Sequence, residues 1–146
     1  MRRLLMLGLA LVLLAGCGDD GSDAGGGGGE ERAALTGPLT YERGGGIAGR
    51  RDRLIVQPDG NAELTVRERT KSIRLEDAEL DQIGRDLEAA DIAAVPPNST
   101  SKQPVPDTFG YRVAYDGTTV TTDDAAMPDK LGGLVTGLGA LVERYE

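Results

Sequence analysis

A chain of 146 residues with 24 acidic against 16 basic side chains and no histidine is poorly suited to several broad classes of function. Its net charge of −8 opposes binding to nucleic acid or anionic lipid, and the missing imidazole removes Ser-His-Asp and Cys-His catalysis and leaves any metal site to carboxylates alone. One phenylalanine, four tyrosines and no tryptophan also argue against a stacking platform for sugars or nucleobases.

The chain opens on Met1-Arg2-Arg3 followed by an apolar run from Leu4 to Leu14. This is the pattern of an export signal, and the run is well short of the roughly 20 residues that a helix needs to span a bilayer. Leu14-Ala15-Gly16-Cys17 then resembles the lipobox of bacterial lipoproteins, in which small residues admit the peptidase ahead of a cysteine that carries diacylglycerol. The expectation is a signal peptide over 1–16, lipidation at Cys17, and a mature protein held at the extracytoplasmic face of the membrane. Loss of Arg2 and Arg3 would leave 14 basic against 24 acidic side chains, a net of −10. With no second cysteine, stability must come from packing rather than disulfides.

Residues 18–34, GDDGSDAGGGGGEERAA, hold too little apolar surface to offset their ordering entropy and read as a flexible tether. Its typical span would be roughly 20–25 Å. Residues 35–146 suit one small domain.

Within that domain, Leu39–Arg43 reads as a strand ending at Gly44-Gly45-Gly46. Arg53–Gln57 and Ala62–Arg67 read as two more strands, joined by the turn Pro58-Asp59-Gly60-Asn61. Thr70–Leu75 either extends the last strand or crosses over to a helix. Leu80, Ile83 and Leu87 recur at helical spacing behind Glu76, Asp77 and Glu79, predicting that helix over Asp77–Ala90, with its end before Pro96-Pro97. The stretch Asn98–Pro106 reads as irregular. Phe109, Tyr111, Val113 and Tyr115 alternate with polar or small residues, predicting a strand whose aromatic face is core. Asp116-Gly117 turns it into a partner over Thr118–Thr122. Pro128 opens a second helix with Leu131, Leu134, Val135, Leu138, Leu141 and Val142 on one side. Its glycines, Gly132, Gly133, Gly137 and Gly139, each cost about 1 kcal/mol relative to alanine, which makes sense if the helix lies close on the sheet. The expected fold is α+β: a mainly antiparallel sheet of about five strands with two helices packed on one face.

Gly44, Gly46 and Gly49 match a dinucleotide fingerprint in spacing, but a strand stands where the helix N-terminus should be. The cluster instead reads as a hairpin turn requiring positive φ, which is compatible with a loop pressing its backbone against a partner. Ile47 would be its tip. Asp123, Asp124 and Asp129 lack the ligand alternation of a calcium loop and read as solvated or capping charge. No spacing favours catalytic residues, a cofactor, a metal or a small-molecule substrate.

Tyr41-Glu42-Arg43-Gly44-Gly45-Gly46-Ile47-Ala48-Gly49, Asp107-Thr108-Phe109-Gly110-Tyr111-Arg112-Val113 and Met127-Pro128-Asp129-Lys130-Leu131 together resemble the emfourin family, small protein inhibitors of protealysin-like, thermolysin-type metallopeptidases. The resemblance covers nearly all of residues 39–142, with Ile47 standing where the family commonly has an aromatic residue. It implies a non-enzymatic inhibitor with a metallopeptidase partner, which the lipid expected at Cys17 would hold at the membrane. The first candidate contact is the loop Gly44–Arg50, comprising Gly45, Gly46, Ile47, Ala48, Gly49 and Arg50 beyond Gly44, and the second is Asp123–Met127. The alternative is an envelope lipoprotein that serves as a structural or protein-interaction module without inhibiting.

Overall fold

The structure, a computed structural model, describes residues 35–103 and 105–146. The expected signal, Cys17 and the tether lie outside these residues. The architecture is α+β, built on one mixed sheet of seven strands rather than five antiparallel ones. In chain order come β1 (Leu39–Gly45), β2 (Arg50–Val56), β3 (Asn61–Val66), β4 (Arg69–Arg74), helix α1 (Asp77–Ala90), a 3-10 turn (Ile92–Ala94), β5 (Asn98–Ser99), β6 (Phe109–Tyr115), β7 (Thr118–Asp123) and helix α2 (Asp129–Tyr145). The strands lie in the order β4-β3-β2-β1-β6-β7-β5.

Two strands go beyond the sequence reading: Thr70–Leu75, which the sequence leaves open between strand extension and crossover, falls but for Leu75 in a separate strand, and a further one falls in the stretch read as irregular. β4 pairs along its whole length with β3. β5 falls in the stretch expected to be irregular and pairs parallel to β7 through Asn98 and Ser99, with Thr121 N–H also donating to Pro97 O at 2.9 Å. All the other pairings are antiparallel.

Register places one residue in two on a common inner face. Leu39 stands opposite Val56, Tyr41 lies between Leu54 and Val113, Leu54 faces Leu64, and Val113 faces Val120. All of these are buried and join Leu131, Leu134, Leu138 and Val142 of α2 and Ile83 and Leu87 of α1 in one core. The alternate positions, among them Glu42, Arg53, Glu63, Thr65 and Arg112, face water, as expected of an antiparallel sheet covered on one side.

The aromatic face of β6 has the expected parity but not the expected depth. Val113 is fully buried, whereas Phe109, Tyr111 and Tyr115 are only half-buried; the one fully buried aromatic ring belongs to Tyr41 in β1, the central strand. Close packing on the sheet likewise explains only part of the glycine content of α2. A Cβ at Gly139 would meet Tyr41 Oη at 3.5 Å, and one at Gly137 would meet Asp86 Oδ2 of α1 at 3.1 Å, but at Gly132 and Gly133 it would meet nothing within 4 Å.

The helices are tied at their ends. Glu79, in the first turn of α1, accepts from the Glu76 backbone N–H at 2.9 Å, from Arg144 Nη1 at 2.6 Å and from Tyr145 Oη at 2.7 Å. Burial pushes the Glu79 carboxyl up, but these donors outweigh it and hold the pKa below its ordinary value.

Candidate functional site

Antiparallel pairing gathers four connections at one end of the sheet: the β1–β2 turn, the β3–β4 turn, the described residues 105–108 before β6, and the turn after β7. The end of α2 arrives there too, where the Glu146 carboxylate accepts from Arg50 Nη2. Leu35 and Thr36 lie at the opposite end, where Thr36 N–H donates to Tyr115 Oη at 2.9 Å.

The residues expected at the contact site, Gly45 to Arg50, form the β1–β2 hairpin. Gly45, Gly46 and Gly49 have φ of 114°, 68° and 56°, so the turn takes the left-handed backbone that glycine tolerates. Gly45 and Gly46 also permit close approach. A Cβ on Gly45 would stand 2.6 Å from Thr108 O, and one on Gly46 would stand 2.8 Å from Cζ of the Phe109 ring. Gly46 N–H in turn donates to Thr108 O at 3.1 Å. The hairpin is thereby seated on the start of β6, and its tip projects: Ile47 is 89% exposed. Val105, at the same end of the sheet, is the other exposed large hydrophobic side chain among the described residues.

Beneath the hairpin lies a charged group that sequence reasoning missed. Asp52, fully buried, points from β2 into the inner face, where its Oδ2 accepts from Arg43 Nε at 2.9 Å, Arg43 Nη2 at 2.7 Å and Arg50 Nε at 2.9 Å. Arg43 reaches on to Glu143 of α2 at 3.2 Å and lies over the Phe109 ring, 5.4 Å from its centroid. Burial disfavours the Arg43 charge, but the bonds to Asp52 and Glu143 and the attraction of Asp52 and Tyr41 together outweigh this and raise its pKa. One carboxylate thus fixes the last turn-side side chain of β1 and the first of β2. Its signal was available in the sequence, since Asp52 shares the parity of Leu54 and Val56 and is a charge on an apolar face.

The second candidate segment, Asp123–Met127, comes to the same place. Asp124 Oδ2 accepts from Phe109 N–H and its Oδ1 from Tyr111 Oη, both at 2.7 Å. Asp123 Oδ1 accepts from the backbone N–H groups of Ala125 and Ala126, and its Oδ2 from that of Ser101 at 2.6 Å. These aspartates are occupied in holding neighbouring turns and the base of the hairpin. No family model matches the chain, and no curated protein matches it. The arrangement holds an apolar tip on a braced support.

Among the described residues two buried polar atoms lack a partner, Tyr41 Oη and Asp52 Oδ1. Burial is the main cause raising the Tyr41 pKa to about 12. Both atoms are shut off from solvent, and Tyr41 Oη lies against α2 beside Gly139.

Proposed function

We propose that the domain is a non-enzymatic binding module that inhibits a thermolysin-like metallopeptidase by seating the Gly45–Arg50 hairpin in the enzyme's cleft, while Cys17 carries the lipid that holds the protein at the outer face of a bacterial membrane. The observation that carries the reading is Ile47, a large apolar side chain 89% exposed on a turn whose base is pinned by Asp52 and Phe109. Exposing such a side chain alone is unremarkable, but exposing it on a braced tip lowers the ordering cost of binding. The Tyr41–Gly49, Asp107–Val113 and Met127–Leu131 segments that resemble emfourins support the choice of partner. The described chain starts at the end of the sheet opposite Ile47, so an anchor upstream of Leu35 would leave the hairpin free to face away from the membrane.

The test is titration of the protein into thermolysin-like peptidases of the same organism. Inhibition is expected at or below micromolar concentration, and Ile47→Glu should weaken it roughly thirtyfold, the equivalent of burying one isoleucine. Full peptidase activity against every such enzyme would defeat the inhibitory reading. Retention of a Cys17→Ala protein in the membrane pellet, released only by detergent, would defeat the anchoring one.

A further inference from the structure

The domain's charge is strongly segregated. Residues 43–74 hold eight of the thirteen basic side chains of residues 35–146 but only four of the nineteen acidic ones, so this stretch carries +4 and the remainder −10. The positive stretch ends on β4, the outermost strand of its side of the sheet. β4 has no proline and no glycine, no described strand pairs with its outer edge, and nearly all its residues are exposed.

The parity of the β3–β4 ladder shows which backbone groups are free. Leu75 N–H donates to Gly60 O at 2.9 Å, and hydrogen-bonded pairs recur at every second position from there, so Ile73, Lys71 and Arg69 turn their amides and carbonyls toward β3. Thr70, Ser72 and Arg74 turn theirs outward. The side chains of Arg69 and Lys71 lie on the inner face of the sheet, bordering a cleft of about 1220 Å³ that runs beside the hairpin. Arg51, Arg67 and half-buried Val66 also line it, over the buried Leu64. Arg51, Arg67 and Arg69 make no salt bridge among the described residues. Of the two carboxylates lining the cleft, Glu146 is already paired with Arg50, and Glu68 stands in the β3–β4 turn. Lys71 Nζ donates to Glu146 O at 3.2 Å, an exposed contact that an incoming carboxylate would have to share or displace.

We propose that β4 is a docking edge that takes an extended acidic segment of a partner protein as an eighth strand, with alternate carboxylates seated against Arg69 and Lys71. Free backbone donors and acceptors supply the pairing, and the cationic cleft selects the sequence. A second copy of this chain fits badly, because β4 against β4 brings the same cations together. An anionic bilayer fits badly as well, since the rest of the domain carries −10. The proposal is independent of Ile47 and of peptidase inhibition.

The experiment uses the full chain in detergent micelles and a fluorescein-labelled peptide of five Thr-Glu repeats, with five Thr-Lys repeats as control. Fluorescence anisotropy should show binding of the acidic peptide only, and hydrogen exchange at the Thr70, Ser72 and Arg74 amides should slow about tenfold or more when it binds. Ser72→Pro removes an outward N–H without touching the β3 ladder and should abolish binding. Arg69→Glu with Lys71→Glu, which leaves the β3–β4 ladder in place, should weaken the acidic peptide by about tenfold or more and let the Thr-Lys peptide bind. Binding that leaves those amides unprotected, or that survives both variants, overturns the proposal. So does protection by phosphatidylglycerol vesicles in place of the peptide, or protection that rises with protein concentration alone.

Discussion

Replacing Asp52 with asparagine keeps the volume of the side chain and removes its charge. Three guanidinium N–H groups from two arginines converge on Asp52 Oδ2 at 2.7–2.9 Å, and the Arg43 side chain that supplies two of them is only 10% exposed. Removing one partner of such a pair strands the other in a poorly solvated place, which costs about 3–5 kcal/mol. Arg43 keeps Glu143 and the Phe109 face, so the lower end, about 3 kcal/mol, is the expected loss. With a urea slope of roughly 1.5 kcal/mol per molar, the unfolding midpoint should fall by about 2 M. The control is Glu143→Gln, whose carboxylate is 60% exposed at 3.2 Å from the same arginine and should cost less than about 1 kcal/mol. Urea melts followed by circular dichroism compare the two. If Asp52→Asn is no worse than Glu143→Gln, the idea that a buried carboxylate organises the hairpin is wrong.

Three further outcomes rest on the same contacts. Gly132→Ala and Gly133→Ala enter open space on α2, so together they should stabilise the domain by roughly 1–2 kcal/mol and raise the calorimetric Tm. Tyr41→Phe deletes a buried hydroxyl that lacks a partner and should gain about 1 kcal/mol in urea melts at neutral pH. Because the folded Tyr41 pKa is raised to about 12, its contribution is intact below the ordinary value of 10.0 and is lost as pH climbs toward 12. The variant should therefore soften alkaline unfolding over that range, in part only, since Tyr111 and Tyr145 are raised as well. Glu79→Gln works in the opposite direction. The Glu79 pKa is lowered, so its stabilisation is present above the ordinary 4.5 and fades as pH falls below it, and the deficit of the variant at pH 7 should close in acid melts.

Much of the fold could be read from local chemistry. Helical spacing with acidic residues at its start placed α1 at its observed bounds, and Pro58-Asp59-Gly60-Asn61 and Asp116-Gly117 turn the chain where their backbone preferences require. What escaped depended on neighbours distant in sequence. β4 sits on an edge with little to bury, so Ile73 is its only large apolar residue and no alternation marks it. β5 is two residues long and exists through its pairing with β7. Phe109 has core parity but stands at the sheet's end, where Gly46 and Arg43 cover it instead of the helices. In the candidate site, the glycine turn and its apolar tip were visible in the sequence. Of the support beneath them only a hint was visible, the charge of Asp52 at core parity, because its role appears only when Arg43 and Arg50 are brought against it by strand pairing.

The position of β1 constrains the order in which the molecule can be assembled. Its one flank is completed at once by β2, next in the chain, whereas its other flank waits for β6, which is reached only after both β4 and α1. The first four strands form a local meander able to nucleate early, and closing the long loop back to β6 is the slow event. Until then the β1 edge, which carries the buried Leu39 and Tyr41, stands open. A chain interrupted ahead of Phe109 should therefore self-associate through β1, making the β6–β7 hairpin a seal against aggregation as well as part of the sheet.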